Sequence, residues 1–252
     1  MSRYFLQISY FGKLYHGWQI QKNTQNTIQQ ILQEWLTKIC KQDIFIQGCG
    51  RTDTGVHARK FFADFKADLT AEPPPYTNLL FKINRSIPKD IAVHAIIPVT
   101  EQTSARYSAI KRTYRYYIHQ KIDPFLNDLS WFVYQELDLL LMQQAAQIVS
   151  ETKNFKSFAK TRNNHKNFDC TISNCQWVQW EHRLILTLSA NRFLRNMVRA
   201  LTGTMIDVGT KKISLEDFKN IIATGERAKA SFSAPAHGLF LEEIVYPNEI
   251  FI

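Results

Sequence analysis

Two successive runs of alternating and helically spaced apolar residues, in the same order, constrain this chain more than any other feature. Leu6, Ile8 and Tyr10 face away from Gln7 and Ser9, the period of a half-buried strand. Ile28, Ile31, Leu32, Trp35 and Ile39 then recur at helical spacing within residues 26–39, behind a capping-box signature of Thr27 and Gln30. Residues 44–46 read as a second strand. Phe61, Ala63, Phe65, Ala67 and Leu69, alternating with Asp64, Lys66 and Asp68, read as a third, closed by the prolines at 73–75. A helix over residues 76–85 and a strand over 91–98 complete β-α-β-β-α-β, the ferredoxin-like order.

The second half repeats that order. TYRYYIHQ (residues 113–120) is aromatic and β-branched enough for a strand, and 137–149 is an apolar-periodic helix. Strands over 171–180 and 183–189 flank a Glu181-His182 turn. A long helix over 193–208, a short one over 215–223 and a strand over 238–246 follow. The expected fold is α+β: two tandem ferredoxin-like (RRM-like) halves with antiparallel sheets. The N-terminal domain would span residues 1–105 and the C-terminal domain 106–252, and a cleft between such halves is a favoured place for a site.

Composition narrows the function classes. Of 252 residues, 45% are hydrophobic and 21% charged, the balance of a globular chain with ample core material. No run of about eighteen apolar residues exists, which argues against a membrane span. The opening MSRYFLQISYFG enters a strand pattern without a signal-peptide core, so a cytoplasmic location is expected. Four cysteines without a CxxC pair make neither a disulfide scaffold nor a zinc site. The net charge of +9 suits a nucleic-acid partner, provided the cations are suitably placed.

The stretch GCGRTDTGVHARKF (residues 48–61) sets one acid, Asp53, between Arg51 and Arg59, among glycines and threonines and ahead of His57. Glycines let the backbone turn sharply and let a substrate approach. Asp53 could simply cap the turn. Flanking arginines favour instead an ionised carboxylate, the state that a nucleophile needs. Asp-Thr-Gly also occurs in aspartic proteases, but that chemistry takes two carboxylates sharing a proton, and this chain has no second such triplet.

Cations cluster in two further stretches. In SARYSAIKRTYRYYIH (residues 104–119), Arg106, Lys111, Arg112 and Arg115 interleave with Tyr107, Tyr114, Tyr116 and Tyr117. Cations can hold phosphates while rings stack on bases. An ordinary strand with tyrosines on one face and cations on the other is the plainer reading. In NRFLRNMVRALTGTMIDVG (residues 191–209), an apolar stripe opposes Arg192, Arg195 and Arg199 at helical spacing. That pattern fits a core face with a solvated face, or an arginine face lining an anion groove.

Taken together, these motifs resemble the tRNA pseudouridine synthase A family over nearly the whole chain. YHGWQIQ with TIQQIL, GRTDTGVHA, INRSIPKDIAV, ARYSAIKRTYRY, FLRNMVRALTGTMIDVG and APAHGLFLEEIVY follow in the family's order. Phe11 departs from it, where the family commonly has an acidic or amide residue. The resemblance implies isomerisation of uridine to pseudouridine at nucleotides 38, 39 and 40 of the tRNA anticodon stem-loop. It also implies a homodimer, no metal or organic cofactor, and sheets joined across a central catalytic cleft. Asp53 would be the catalytic aspartate and Arg199 its arginine partner. Arg51 would help displace the target base, and Tyr114 would stack on the uracil. Arg59, Arg106, Lys111, Arg112, Arg115, Arg192 and Arg195 are the candidate RNA contacts. The alternatives are a related pseudouridine synthase with another RNA target and a noncatalytic double RRM-like protein. The latter needs an RNP-type aromatic motif, which this sequence lacks.

Overall fold

The computed structural model describes residues 1–71, 73–160 and 167–252. In chain order the elements are β1 (Ser2–Tyr10), α1 (Ile28–Cys40), β2 (Ile46–Gly48), β3 (His57–Ala67), α2 (Thr77–Ser86), β4 (Ile91–Val99), β5 (Lys111–His119), β6 (Trp131–Phe132), α3 (Leu139–Glu151), β7 (Ile172–Trp180), β8 (Arg183–Ala190), α4 (Met197–Gly209), α5 (Leu215–Thr224) and β9 (Leu239–Val245). The fold is mixed α/β, with strands that pair mostly antiparallel. Two compact units emerge: Met1–Ile110 with Leu241–Ile252, and Lys111–Phe240.

In the first unit the strand order is β4-β1-β3-β9, with β2 also on β3. Leu6 pairs with Ala63 and Ile8 with Phe61, so one face of the sheet is continuously apolar. The other face is covered as well. Phe5 lies 4.8 Å from the Tyr246 ring and 5.8 Å from Phe62, centroid to centroid. Asp64 is buried on that second face. Its Oδ2 accepts from Arg3 at 2.6 Å, and its Oδ1 accepts from the Ala105 N–H at 2.7 Å. Burial pushes the Asp64 carboxyl above the usual carboxylate value, although both donors pull it down. The Tyr246 hydroxyl donates to the Ala105 carbonyl at 2.6 Å, so both backbone polar groups of Ala105 are held.

Helix α1 buries Ile28, Leu32 and Leu36 at helical spacing, and Thr27 caps it by accepting from the Gln30 N–H. Only half of the capping box forms there, because the Gln30 side chain turns to Glu34. The expected strand over 44–46 lies two residues later. The Ile44 and Ile46 N–H groups donate to the side chains of Thr37 and Gln33, which lie on α1.

In the second unit the order is β5-β8-β7, with β6 parallel to β5. Tyr116 pairs with Leu186 and Ile118 with Leu184, all four buried. Helix α3 packs on β7, where Gln143 accepts the Trp177 N–H at 3.0 Å, and α4 packs beside α3.

Helix α4 corrects the sequence reading twice. It begins at Met197 rather than near 193, because Asn196 adopts a left-handed backbone with φ 68° that a helix cannot include. Arg192 and Arg195 therefore sit in the loop ahead of it, not on a helical face with Arg199. Nor has the helix a solvated face. Residues 200–209 are all buried, as for a helix enclosed by protein. A side chain at Gly203 would strike the carbonyl oxygen of Phe232, so the chain segment at 232 lies directly on the helix backbone.

Candidate active site

The loop bearing Asp53 is built from below by two glycines. Gly17 has φ +84°, which a side chain tolerates poorly, and a Cβ there would lie 2.5 Å from the Thr52 carbonyl oxygen. At Gly12 a Cβ would overlap the Val56 carbonyl. Backbone therefore presses on backbone at both ends of the Asp53 turn. The turn closes on itself through the Val56 N–H, which donates to the Asp53 carbonyl at 3.1 Å, with Gly55 at φ +80°.

Side chains complete the mounting. The Trp18 backbone N–H donates to the Thr52 carbonyl at 3.3 Å, and the side chains add a buried hydrogen bond of 2.9 Å between the Tyr10 hydroxyl and Thr52 Oγ1. The Trp18 ring lies 4.2 Å from Phe61, and the absence of a side chain at Gly48 makes room for it. His57 is buried, and its Nδ1 accepts the Gly12 N–H at 2.9 Å. A ring nitrogen that accepts carries no proton, so a neutral His57 holds its proton on Nε2. Phe11, the departure from the family pattern, stacks on the His57 ring at 4.6 Å. An apolar residue there is thus seated on the imidazole. On this mounting Asp53 is half-buried, while Arg51 and Thr54 are exposed.

The second unit carries the other named residues. Strand alternation sets Arg112, Tyr114 and Tyr116 on one face and Lys111, Arg115 and Tyr117 on the other, so tyrosines and cations are not segregated. Tyr114 is half-buried, with its ring 5.1 Å from Phe193 in an edge-to-face contact. Tyr116 is fully buried and donates to the Pro235 carbonyl at 2.7 Å. Burial raises its hydroxyl far above the ordinary tyrosine value, against the pull of the nearby Arg199. Arg199, half-buried on α4, donates through Nε to the Ala234 carbonyl at 2.7 Å, and the Ala234 N–H donates back to the Arg199 carbonyl at 3.0 Å.

The candidate RNA contacts differ in their commitments. Arg59 pairs with Glu242 at 3.2 Å, and Arg112 donates to the Asn191 carbonyl at 2.7 Å. Arg106 is exposed, with its guanidinium 5.3 Å from the Tyr107 ring, above a turn in which Ser104 Oγ accepts the N–H groups of residues 106 and 107. Arg115 and Arg195 are exposed, and Lys111 and Arg192 are half-buried. Sequence reasoning gave no role to Tyr116, Ser233, Ala234 or Arg227, which hold Arg199 and its surroundings. Only the match of APAHGLF to a family motif pointed at that segment.

The cysteines are free thiols, and burial pushes Cys170 up to about 11 and Cys175 up to about 12. Among the described residues, no group of three or more His, Cys, Asp or Glu side chains could hold a metal ion. No helix among them is long and apolar enough to cross a membrane.

A family model described as tRNA pseudouridine synthase matches residues 145–247. End to end, the chain is 39% identical to tRNA pseudouridine synthase A of Porphyromonas gingivalis, covering 100% of both chains. It is 40% identical to the protein of that name from Parabacteroides distasonis, covering 100% of this chain and 98% of the relative. Against that of Azobacteroides pseudotrichonymphae the identity is 42%, over 100% and 99%. The chain belongs to the tRNA pseudouridine synthase A family.

The glycine mounting gives a direct prediction. Gly17→Ala forces a side chain into a left-handed backbone and against Thr52, and should lower the unfolding free energy by at least about 1–2 kcal/mol. The Val56 amide should exchange faster in the same variant. Gly50→Ala is the control: a Cβ there meets nothing within 4 Å, and its stability should match wild type. Denaturant unfolding with amide exchange compares the two. Equal stability would mean that the loop does not rest on Gly17.

Proposed function

We propose that this chain isomerises uridine to pseudouridine at nucleotides 38, 39 and 40 of the tRNA anticodon stem-loop, with Asp53 as the essential catalytic group. The observation that carries this reading is the end-to-end likeness to relatives named tRNA pseudouridine synthase A. The pinned, half-buried Asp53 supports it. A carboxylate on a fixed backbone can be aimed, and preorganised position is worth large factors in rate.

The reaction needs little more than positioning. The target uridine leaves its stack, at a cost of a few kcal/mol. The N1–C1′ bond breaks, the base turns while held, C5 bonds to C1′, and the C5 proton departs while the freed N1 takes up a proton. Asp53 serves by attacking the sugar or the base, or by taking a sugar proton. In this proposal Arg199 pairs with the carboxylate and Arg51 helps displace the base. Tyr114, steadied on its edge by Phe193, stacks on the uracil. The exposed Arg106, Arg115 and Arg195 are the phosphate contacts we favour. Lys111 and Arg192 are secondary ones, and Arg59 and Arg112 serve RNA only if they release their protein partners. The proposal also includes two ferredoxin-like halves as N-terminal and C-terminal domains, a homodimer, a cytoplasmic location, and chemistry without metal or organic cofactor.

Purified protein incubated with unmodified tRNA transcripts should form pseudouridine at those nucleotides and nowhere else in the anticodon arm. Modification confined to other positions would redirect the proposal to another RNA target. Tyr114→Phe should keep tRNA affinity, because base–aromatic stacking of roughly 1–3 kcal/mol per base survives. Tyr114→Ala should lose about that much. If the hydroxyl moves a proton, the Phe variant binds but turns over slowly. Full turnover would restrict Tyr114 to stacking.

A further inference from the structure

Residues 230–235 run along α4 as a strap, held by a series of hydrogen bonds. The Arg227 guanidinium donates through Nη1 to the carbonyls of Ala230 and Ser231, both at 3.1 Å, and through Nη2 to Ser233 Oγ at 3.2 Å. The same Ser233 oxygen accepts from Asn196 Nδ2 at 2.6 Å, at the left-handed residue where α4 begins. The Ser231 N–H donates to Thr204 at 3.2 Å, and the Ser231 hydroxyl donates to the buried Asp207. Next to Ser233, Ala234 makes its reciprocal pair with Arg199, and beyond it Pro235 accepts from Tyr116.

Those bonds form one route. Arg227 fixes Ser233, and Ser233 joins the strap to the N-terminus of α4. The carbonyl of the next residue then receives the Nε–H of Arg199. An arginine side chain has many rotamers, and because its guanidinium is planar an acceptor held at Nε–H helps to set the direction of the whole group. The Ala234 carbonyl is that acceptor, and its position follows from the strap.

We propose that Arg227 is a positioning residue: by bracing residues 230–233, whose Ser233 is tied to the start of α4 by Asn196, it fixes the Ala234 carbonyl and so orients the Arg199 guanidinium. The inference rests on the reading of Arg199 as partner of the catalytic carboxylate. Arg227 itself touches neither substrate nor reacting atoms.

The test uses the full chain. In 15N-labelled protein, the Nε–H signal absent from Arg199→Lys identifies Arg199. In Arg227→Met that proton should exchange at least about tenfold faster, since its opening becomes local and easy. Turnover on tRNA should fall by about tenfold to a hundredfold, the usual penalty of a small misplacement, while KM stays within a few-fold. Unchanged Arg199 exchange would overturn the proposal, as would a change confined to KM. If Arg227→Met fails to fold, Ser233→Ala carries the same two readouts, and Ser233→Thr should restore both. Ser233→Ala indistinguishable from wild type in both readouts, or a Thr variant no better than Ala, would also overturn it. Wild-type protein inactive on every tRNA would instead sink the functional reading, and the exchange measurement would still decide the positioning claim.

Discussion

The contact of backbone with backbone at Gly12 and Gly17 is the constraint on which the Asp53 loop depends. A carboxylate in a surface turn is ordinary. One whose turn is seated on the residues that follow β1, with no side chain between, has little freedom to move. The aromatic residues around it are consequences of that seat. Trp18 occupies the space left at Gly48, Tyr10 reaches Thr52, and His57 receives the Gly12 N–H while Phe11 covers its ring. YHGWQ and GRTDTGVHA, far apart in the chain, are two sides of one joint.

The second unit solves a related problem by other means. Arg199 projects from a helix buried on nearly every side, so its backbone is fixed by packing, but a long side chain must still be aimed. The Ala234 carbonyl of the strap accepts its Nε–H, and Tyr116 secures the strap from the sheet. With its hydroxyl raised far above the ordinary value, Tyr116 stays protonated at any working pH and remains a donor to Pro235. A loop held in this way suits chemistry that asks for aim.

Much of the fold was legible because its signals are local. Alternation in 4–10 and 61–69, helical spacing in 28–39 and the Thr27 cap each rest on neighbours in sequence, and the elements follow them. Two misreadings share a cause in long-range partners. Residues 44–46 look like a strand, but the Ile44 N–H is taken by Thr37 of α1 and ladder pairing starts only at Ile46. The arginines at 192, 195 and 199 have helical spacing, but the left-handed Asn196, tied to Ser233, ends the pattern. In β5 the cause is local instead: the period of two itself sets Arg112 with Tyr114 and Tyr116, and Lys111 and Arg115 with Tyr117. Asp53 stood out by its arginines and glycines. Its mounting did not, since periodicity carries no trace of a glycine needed for a contact forty residues away. Arg227 looked like one cation among many.

The most direct measurement of the central claim is Asp53→Asn in single turnover, reading tritium release from C5-labelled uridine in tRNA beside tRNA affinity. Asn has nearly the same shape and still caps a turn, so the loop should fold. Without the negative charge it neither attacks nor accepts a proton at a useful rate. The account predicts no measurable release and tRNA binding within a few-fold of wild type. Appreciable release by a well-folded Asn variant would contradict it, leaving Asp53 as a turn residue and the chemistry elsewhere.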